Sequence, residues 1–291
     1  MNPWTWWVQR VGRPVDARPI TLVLQLVVAV LLWDLLSIAW LDLSDAVLFL
    51  EADGGLTKRP QSFSILPEPW GGRAAWVTAI LAAPFIVAGK GRKIALVVFL
   101  VAHSQLGHWQ WPGDRGIDRI LRTVLVVLLF SDASRDRPPR RVAAWPVDLL
   151  TWLLVIIYLD AGYAKLDAEP GWLSLETNEL YTILADPLAA RLDGVWWAPY
   201  QWFFALGGLF TLVLEFSAPL MLFRRTRAMW AVGGVFLHVG IWATMGLGIF
   251  PAGMLALYPI LFRPWTEKAL DRLGSWSGRE PPPVSVPPSE G

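Results

Sequence analysis

The chain has 291 residues, 55% of them hydrophobic and only 17% charged, where soluble domains carry about 25%. Its 25 basic and 24 acidic residues leave a net charge of +1, which excludes the strong positive field of a nucleic-acid binder. With no cysteine, disulfides, thiolate metal sites and a cysteine nucleophile are excluded as well.

Nineteen tryptophans in so apolar a chain point to lipid as solvent, because indole rings favour the headgroup level. A stretch holding Arg10, Arg13 and Arg18 precedes the first apolar run, which is too long for a signal-peptide core and reads as a spanning helix. A span needs about 20 mostly apolar residues. Segments 20–41, 74–89, 93–110, 117–131, 143–164, 199–223, 228–245 and 246–262 qualify, the fourth and eighth being short. The expected fold is therefore an all-α integral membrane bundle of about eight transmembrane helices over residues 1–272.

The connections supply an independent test. Alternate connections hold Arg10, Arg13 and Arg18, then Lys90, Arg92 and Lys93, then Arg135 to Arg141, then Arg224, Arg225 and Arg227, then Arg263 and Lys268. Those between them are acidic, with Asp42, Asp45, Glu51, Asp53 and Glu68 in one and Asp167, Glu169, Glu176, Glu179 and Asp186 in another. Lys/Arg bias in short loops sets orientation, so both termini are expected on the cytoplasmic side of the cell membrane. Trp70, Trp76, Trp109, Trp111, Trp172, Trp196, Trp197 and Trp202 fall near outer helix ends as an aromatic belt. The outer segment "LSLETNELYTILADPLAARL" has helical apolar spacing and reads as an amphipathic surface helix. The Pro/Ser-rich stretch 273–291 reads as a disordered tail.

Ionisable groups at membrane depth cost about 2.5–3.5 kcal/mol each and need a reason. Asp34, Asp160, Glu215 and His238 fall inside spans, and Lys165 ends the fifth against the charge bias. Lys165 has two readings. It is a snorkelling anchor paired with Asp167 or Glu169, or it is a base whose pKa burial lowers into catalytic range. Glu215 and Asp34 also read as hydrogen-bonded packing residues, and His238 as an interior histidine. His103 and His108 are five apart and share no helix face well, so no metal site is expected. Asp118 and Arg122, at i and i+4, read as a surface pair.

The stretch "YLDAGYAKLDAEPGW" resembles the Tyr, Ala-Gly, Lys-Leu-Asp-Ala segment of the vitamin K-dependent gamma-glutamyl carboxylase family. "LVLEFSAPLMLFRRTR" looks like that family's acidic-Leu-Ser-Ala helix. "FLHVGIWATMGLGIFPAGMLALYPILFRPW" looks like its histidine-containing helix, and "LLFSDAS" in the fourth segment adds to the match. The chain is thus identified as a member of the HTTM-domain (horizontally transferred transmembrane domain) proteins. The resemblance implies an enzyme that uses a lipid-soluble hydroquinone (reduced vitamin K or menaquinol-like) with oxygen and carbon dioxide, for oxygen-dependent carboxylation or epoxidation. Carried over, Lys165 would be the base, with His238 and Glu215 as further catalytic residues and Tyr158, Gly162 and Trp172 at the quinone. The implied partners are the bilayer, the quinone and a peptide or protein substrate on the outer face, with no nucleic acid. Two features depart from the family: "GDRGIDRILR" lacks the histidine that precedes the fourth helix in the animal enzymes, and their large C-terminal region has no counterpart. A non-catalytic binding or immunity-type protein that keeps the fold, or a quinone-linked redox module, are the alternatives.

Overall fold

The computed structural model describes residues 2–41, 70–109, 115–169, 171–187, 189–191 and 194–276. Most of the acidic connection 42–73 and the tail beyond Trp276 lie outside them.

Helix α1 (Pro3–Gly12) leads into strand β1 (Pro14–Asp16) and then α2 (Arg18–Trp40). In α2, Pro19 occupies the first turn, where a missing N–H costs nothing. Its buried side chains, Ile20, Val23, Leu24, Val27, Val28, Leu31 and Leu35, recur every three or four residues and form one inward stripe. The hairpin of α3 (Gly71–Ala88) and α4 (Arg92–Trp109) packs beside it. Ala75, Ala79, Ala82 and Ala83 are buried along α3, the small residues that let membrane helices approach closely. Two hydrogen bonds clip α3 to α2, from Trp76 Nε1 to the Leu35 carbonyl (2.8 Å) and from Gln25 Nε2 to the Val87 carbonyl (2.9 Å). The hairpin turns at Gly89, which takes the left-handed conformation (φ 69°) that favours glycine.

Next come α5 (Gly116–Leu129), strand β2 (Arg141–Ala143) and α6 (Trp145–Leu166). β1 and β2 pair antiparallel, Val15 opposite Val142. This short ribbon is an addition to the expected all-helical fold, and it brings the N-terminal arginines beside the connection before α6. α7 (Glu179–Ala185), α8 (Gln201–Phe216), α9 (Arg227–Thr244), α10 (Phe250–Leu255) and α11 (Arg263–Trp276) complete the described elements.

Among the described residues, four stretches are long and apolar enough to cross a membrane: Arg18–Trp40, Gly71–Ala88, Trp145–Leu166 and Trp197–Phe216. The eighth expected segment, 246–262, is not one continuous helix. Pro251 opens α10, which ends at Leu255, and Pro259 sits in a separate turn, Tyr258–Ile260. A proline nitrogen cannot continue the ladder, so the run breaks into two short pieces against α2 and α5. The sixth also stops early: α8 ends at Phe216 and Pro219 falls in the tight turn Ala218–Leu222. The outer amphipathic segment is helical only over α7, because the Asn178 side chain caps the Leu180 N–H and stops the helix extending backwards. α11 runs to Trp276, past the boundary drawn at 272.

The basic connections meet at one end of the bundle. Asp136 accepts from the Gly91 and Arg92 backbone N–H groups (2.8 and 2.7 Å). Arg18 bridges Asp16 and Asp271 (both 2.6 Å), and Arg13 bridges Asp148 (2.8 Å). At the other end, the Arg191 N–H donates to the Thr244 carbonyl, and the Gly246 N–H to that of Ala189.

Candidate functional site

Lys165 lies in the last turn of α6 and Glu215 in the last turn of α8, fifty residues on. Lys165 Nζ donates to Glu215 Oε1 at 2.6 Å and to the Ala161 carbonyl at 3.4 Å. The side chains are 19% and 5% exposed, so Glu215 is buried and Lys165 largely so. Gly162 eases the approach, since a Cβ there would stand 3.3 Å from Glu215 Cβ and the Phe216 ring, a tight contact. The partner of Lys165 is therefore the acid of a neighbouring helix, where the sequence offered Asp167 or Glu169. Both of those are exposed.

Trp172 closes the site from the loop after α6. Its ring centroid is 5.1 Å from Lys165 Nζ, within cation–π range. Two contacts hold that loop. Asn178, fully buried, donates from Nδ2 to the carbonyls of Trp172 (2.7 Å) and Ser174 (3.1 Å). Gly208 of α8 leaves room for the Trp172 backbone, because a Cβ there would meet its carbonyl oxygen at 2.1 Å.

A second polar chain runs behind the pair. Tyr158 of α6 hydrogen-bonds His238 Nε2 (2.6 Å) and the Tyr258 hydroxyl (2.7 Å). All three residues are buried. Trp230, Gly234 and His238 recur every four residues on α9 and so share one face. Trp230 packs edge-on against Tyr158 (4.7 Å) and donates to the Leu214 carbonyl. Gly234 leaves space for the Tyr258 hydroxyl, which would lie 2.1 Å from a Cβ. Phe250 covers the imidazole at 5.7 Å.

Two buried atoms here, Glu215 Oε2 and His238 Nδ1, have no hydrogen-bond partner among the described residues. A buried polar group costs free energy unless paired, so an orphan in each of two adjacent networks is a notable feature. Asp160 sits apart from the pair, exposed on α6 in line with Leu149, Trp152, Ile156 and Tyr163.

Asp34 accepts a hydrogen bond from Arg115. Arg115 caps α5, reaching Asp34 Oδ2 at 2.6 Å and Asp118 Oδ2 at 2.9 Å. Burial disfavours the Arg115 charge, but Asp118 and Asp34 outweigh it and raise the pKa. Asp118 also pairs one turn back, with Arg115, and Arg122 lies 3.3 Å from His103 Nδ1. No group of metal-ligating side chains occurs among the described residues.

Sequence reasoning reached Lys165, Glu215, His238, Tyr158, Gly162 and Trp172 but missed Tyr258, Gly234, Trp230, Gly208 and Asn178. The four-residue spacing of Trp230, Gly234 and His238 was the available signal for two of them, and the "TNE" N-cap pattern for Asn178.

Residues 129–265 match the family model of the HTTM domain. That stretch contains every residue of the Lys165–Glu215 site and of the Tyr158 chain. Comparison with curated proteins and with solved structures gives no match.

Proposed function

We propose that the HTTM domain carried by residues 129–265 is the catalytic core of a multi-pass enzyme of the cell membrane, related to the vitamin K-dependent carboxylases and fed by a lipid-soluble hydroquinone. The observation that carries this reading is the buried 2.6 Å contact between Lys165 and Glu215, roofed by Trp172. The eight crossings of the bilayer, with the basic connections inside, are part of the same proposal. The gathering of residues 13–18, 91–92, 135–148 and 271 at one end supports them.

A hydroquinone fits the residues present. It offers hydroxyl donors and a flat ring, and the site offers a carboxylate oxygen without a donor, an imidazole nitrogen without a partner, and an indole. Glu215, Lys165, His238 and Trp172 would hold it. When bound, it supplies the oxygen-reactive electron pair that this chain lacks.

The chain's own part is proton handling. Glu215 Oε2 would accept a proton, and the Lys165–Glu215 pair would then hold it with one net positive charge. Lys165, first read as a lone base, therefore acts with a carboxylate 2.6 Å away, so proton and charge are shared between two groups. Positioned general bases contribute about 10²–10⁴-fold. The Tyr158–His238–Tyr258 chain fixes α6 against α9, and Trp172 with Phe250 excludes water from the two orphaned atoms.

The test is hydroquinone-dependent oxygen uptake by membranes containing the full chain. Lys165→Ala and Glu215→Gln should each lower the rate by about 100-fold or more. Unchanged turnover in both variants, at matched protein level, would overturn the reading.

A further inference from the structure

The basic end of the bundle holds a second constellation, remote from the Lys165 site. Arg10 ends α1, Arg13 follows it, Arg227 begins α9 and Arg263 begins α11. Arg227 lies within electrostatic reach of Arg263, Arg13, Arg10 and Asp148 together. Arg13 bridges Asp148 at 2.8 Å and Arg263 meets Glu267 at 3.3 Å. Arg13, Arg227 and Arg263 thus face two carboxylates, Asp148 and Glu267, which leaves these three cationic. Asp148 is only 16% exposed, and Arg263 Nη1 is buried with no hydrogen-bond partner among the described residues. Arg227 is held in place, its Nε donating to the Met221 carbonyl at 2.6 Å.

Converging guanidiniums with spare planar donors suit a phosphate, which they grip two bonds at a time. What surrounds the cluster selects the source of that phosphate. On α1, Trp4 and Trp7 stack at 6.1 Å and are 69% and 52% exposed. On α11, Trp265 stacks on Phe262 at 5.9 Å and is also largely exposed, as is Phe223 just before α9. Indoles flanking arginines form the arrangement of a membrane interface, with apolar rings at the acyl boundary and charges at headgroup depth. A free phosphate ion would use the arginines and leave the tryptophans idle.

We infer that Arg10, Arg13, Arg227 and Arg263 form a binding site for the phosphate of an anionic phospholipid, seated between α1 and α11 with its glycerol and acyl chains against Trp4, Trp7 and Trp265. The bound lipid fastens two interfacial helices, α1 and α11, to the starts of α6 and α9.

The full chain is reconstituted into nanodiscs of phosphatidylcholine with phosphatidylglycerol, and the lipid that survives release is weighed by native mass spectrometry. Wild type should retain phosphatidylglycerol in preference to phosphatidylcholine. Arg263→Gln and Arg227→Gln should each cut that retention by about fivefold. Arg263→Lys should keep most of it. Removing equal charge from the same end but outside the cluster, with Lys90→Gln and Arg137→Gln, should leave it intact. The site is overturned if the control pair loses the lipid as fully as the cluster variants, or if Arg263→Gln and Arg227→Gln retain it. Inorganic phosphate that displaces the lipid completely at matched phosphate concentration would overturn the assignment to a lipid. Thermal unfolding of each variant checks that it is folded.

Discussion

The two ion clusters at the acidic end of the bundle differ in how much of their bonding capacity is spent. Arg115 bridges α2 and α5 and turns its guanidinium on two carboxylates: Nε and Nη2 serve Asp118, and Nη2 also serves Asp34. The Asp118 carboxylate in turn accepts the Arg115 backbone N–H. Lys165 and Glu215 bridge α6 and α8 in a similar way, yet Glu215 Oε2 is buried and unanswered. Both clusters hold two helices together. Only one keeps a buried acceptor in reserve for something that is not protein, and unspent capacity is the physical mark that separates a site from a clamp.

That contrast has measurable edges. The largest expected effect is a crossing of readouts. Glu215→Gln should lose hydroquinone-dependent oxygen uptake by about 100-fold or more while the chain stays folded. Arg115→Gln should instead lower unfolding stability by about 1–3 kcal/mol, a value reduced from that of fully buried pairs because Arg115 is over a third exposed. Its oxygen uptake, measured below the unfolding transition, should change less than tenfold. Loss of activity without loss of stability in Arg115→Gln would erase the distinction.

A smaller effect concerns the chain behind the site. Tyr158→Phe removes the hydroxyl shared by His238 and Tyr258 and leaves His238 without a partner on either nitrogen. A cost of about 1–3 kcal/mol is expected in detergent-solubilised unfolding. Gly234→Ala should reach the same result from the opposite helix, by pushing the Tyr258 hydroxyl aside.

The smallest effect is at the basic end. Backbone N–H groups of Arg92 and Gly91 hold the exposed Asp136 carboxylate below its ordinary pKa of 3.8. A depressed folded pKa contributes stability above the unfolded value, lost as pH falls through the folded one. Asp136→Asn should therefore lower stability at neutral pH and narrow the gap between the acid and neutral unfolding transitions, its difference from wild type fading as pH falls through the folded pKa.

The membrane class of this chain was legible from composition, and so were four helices long and apolar enough to span, because lipid demands long runs of side chains that need no water. Lys165, Glu215 and His238 stood out as charges placed where charge is costly. Their partners did not. Glu215 is fifty residues from Lys165, and Tyr158 meets His238 and Tyr258 across eighty and one hundred. Such meetings follow from which helix packs on which, and here small residues help decide it: Gly208 and Gly234 each let a neighbour approach to a distance that a side chain would block. In sequence a glycine in an apolar run is only a gap. The tertiary structure alone shows what fills it.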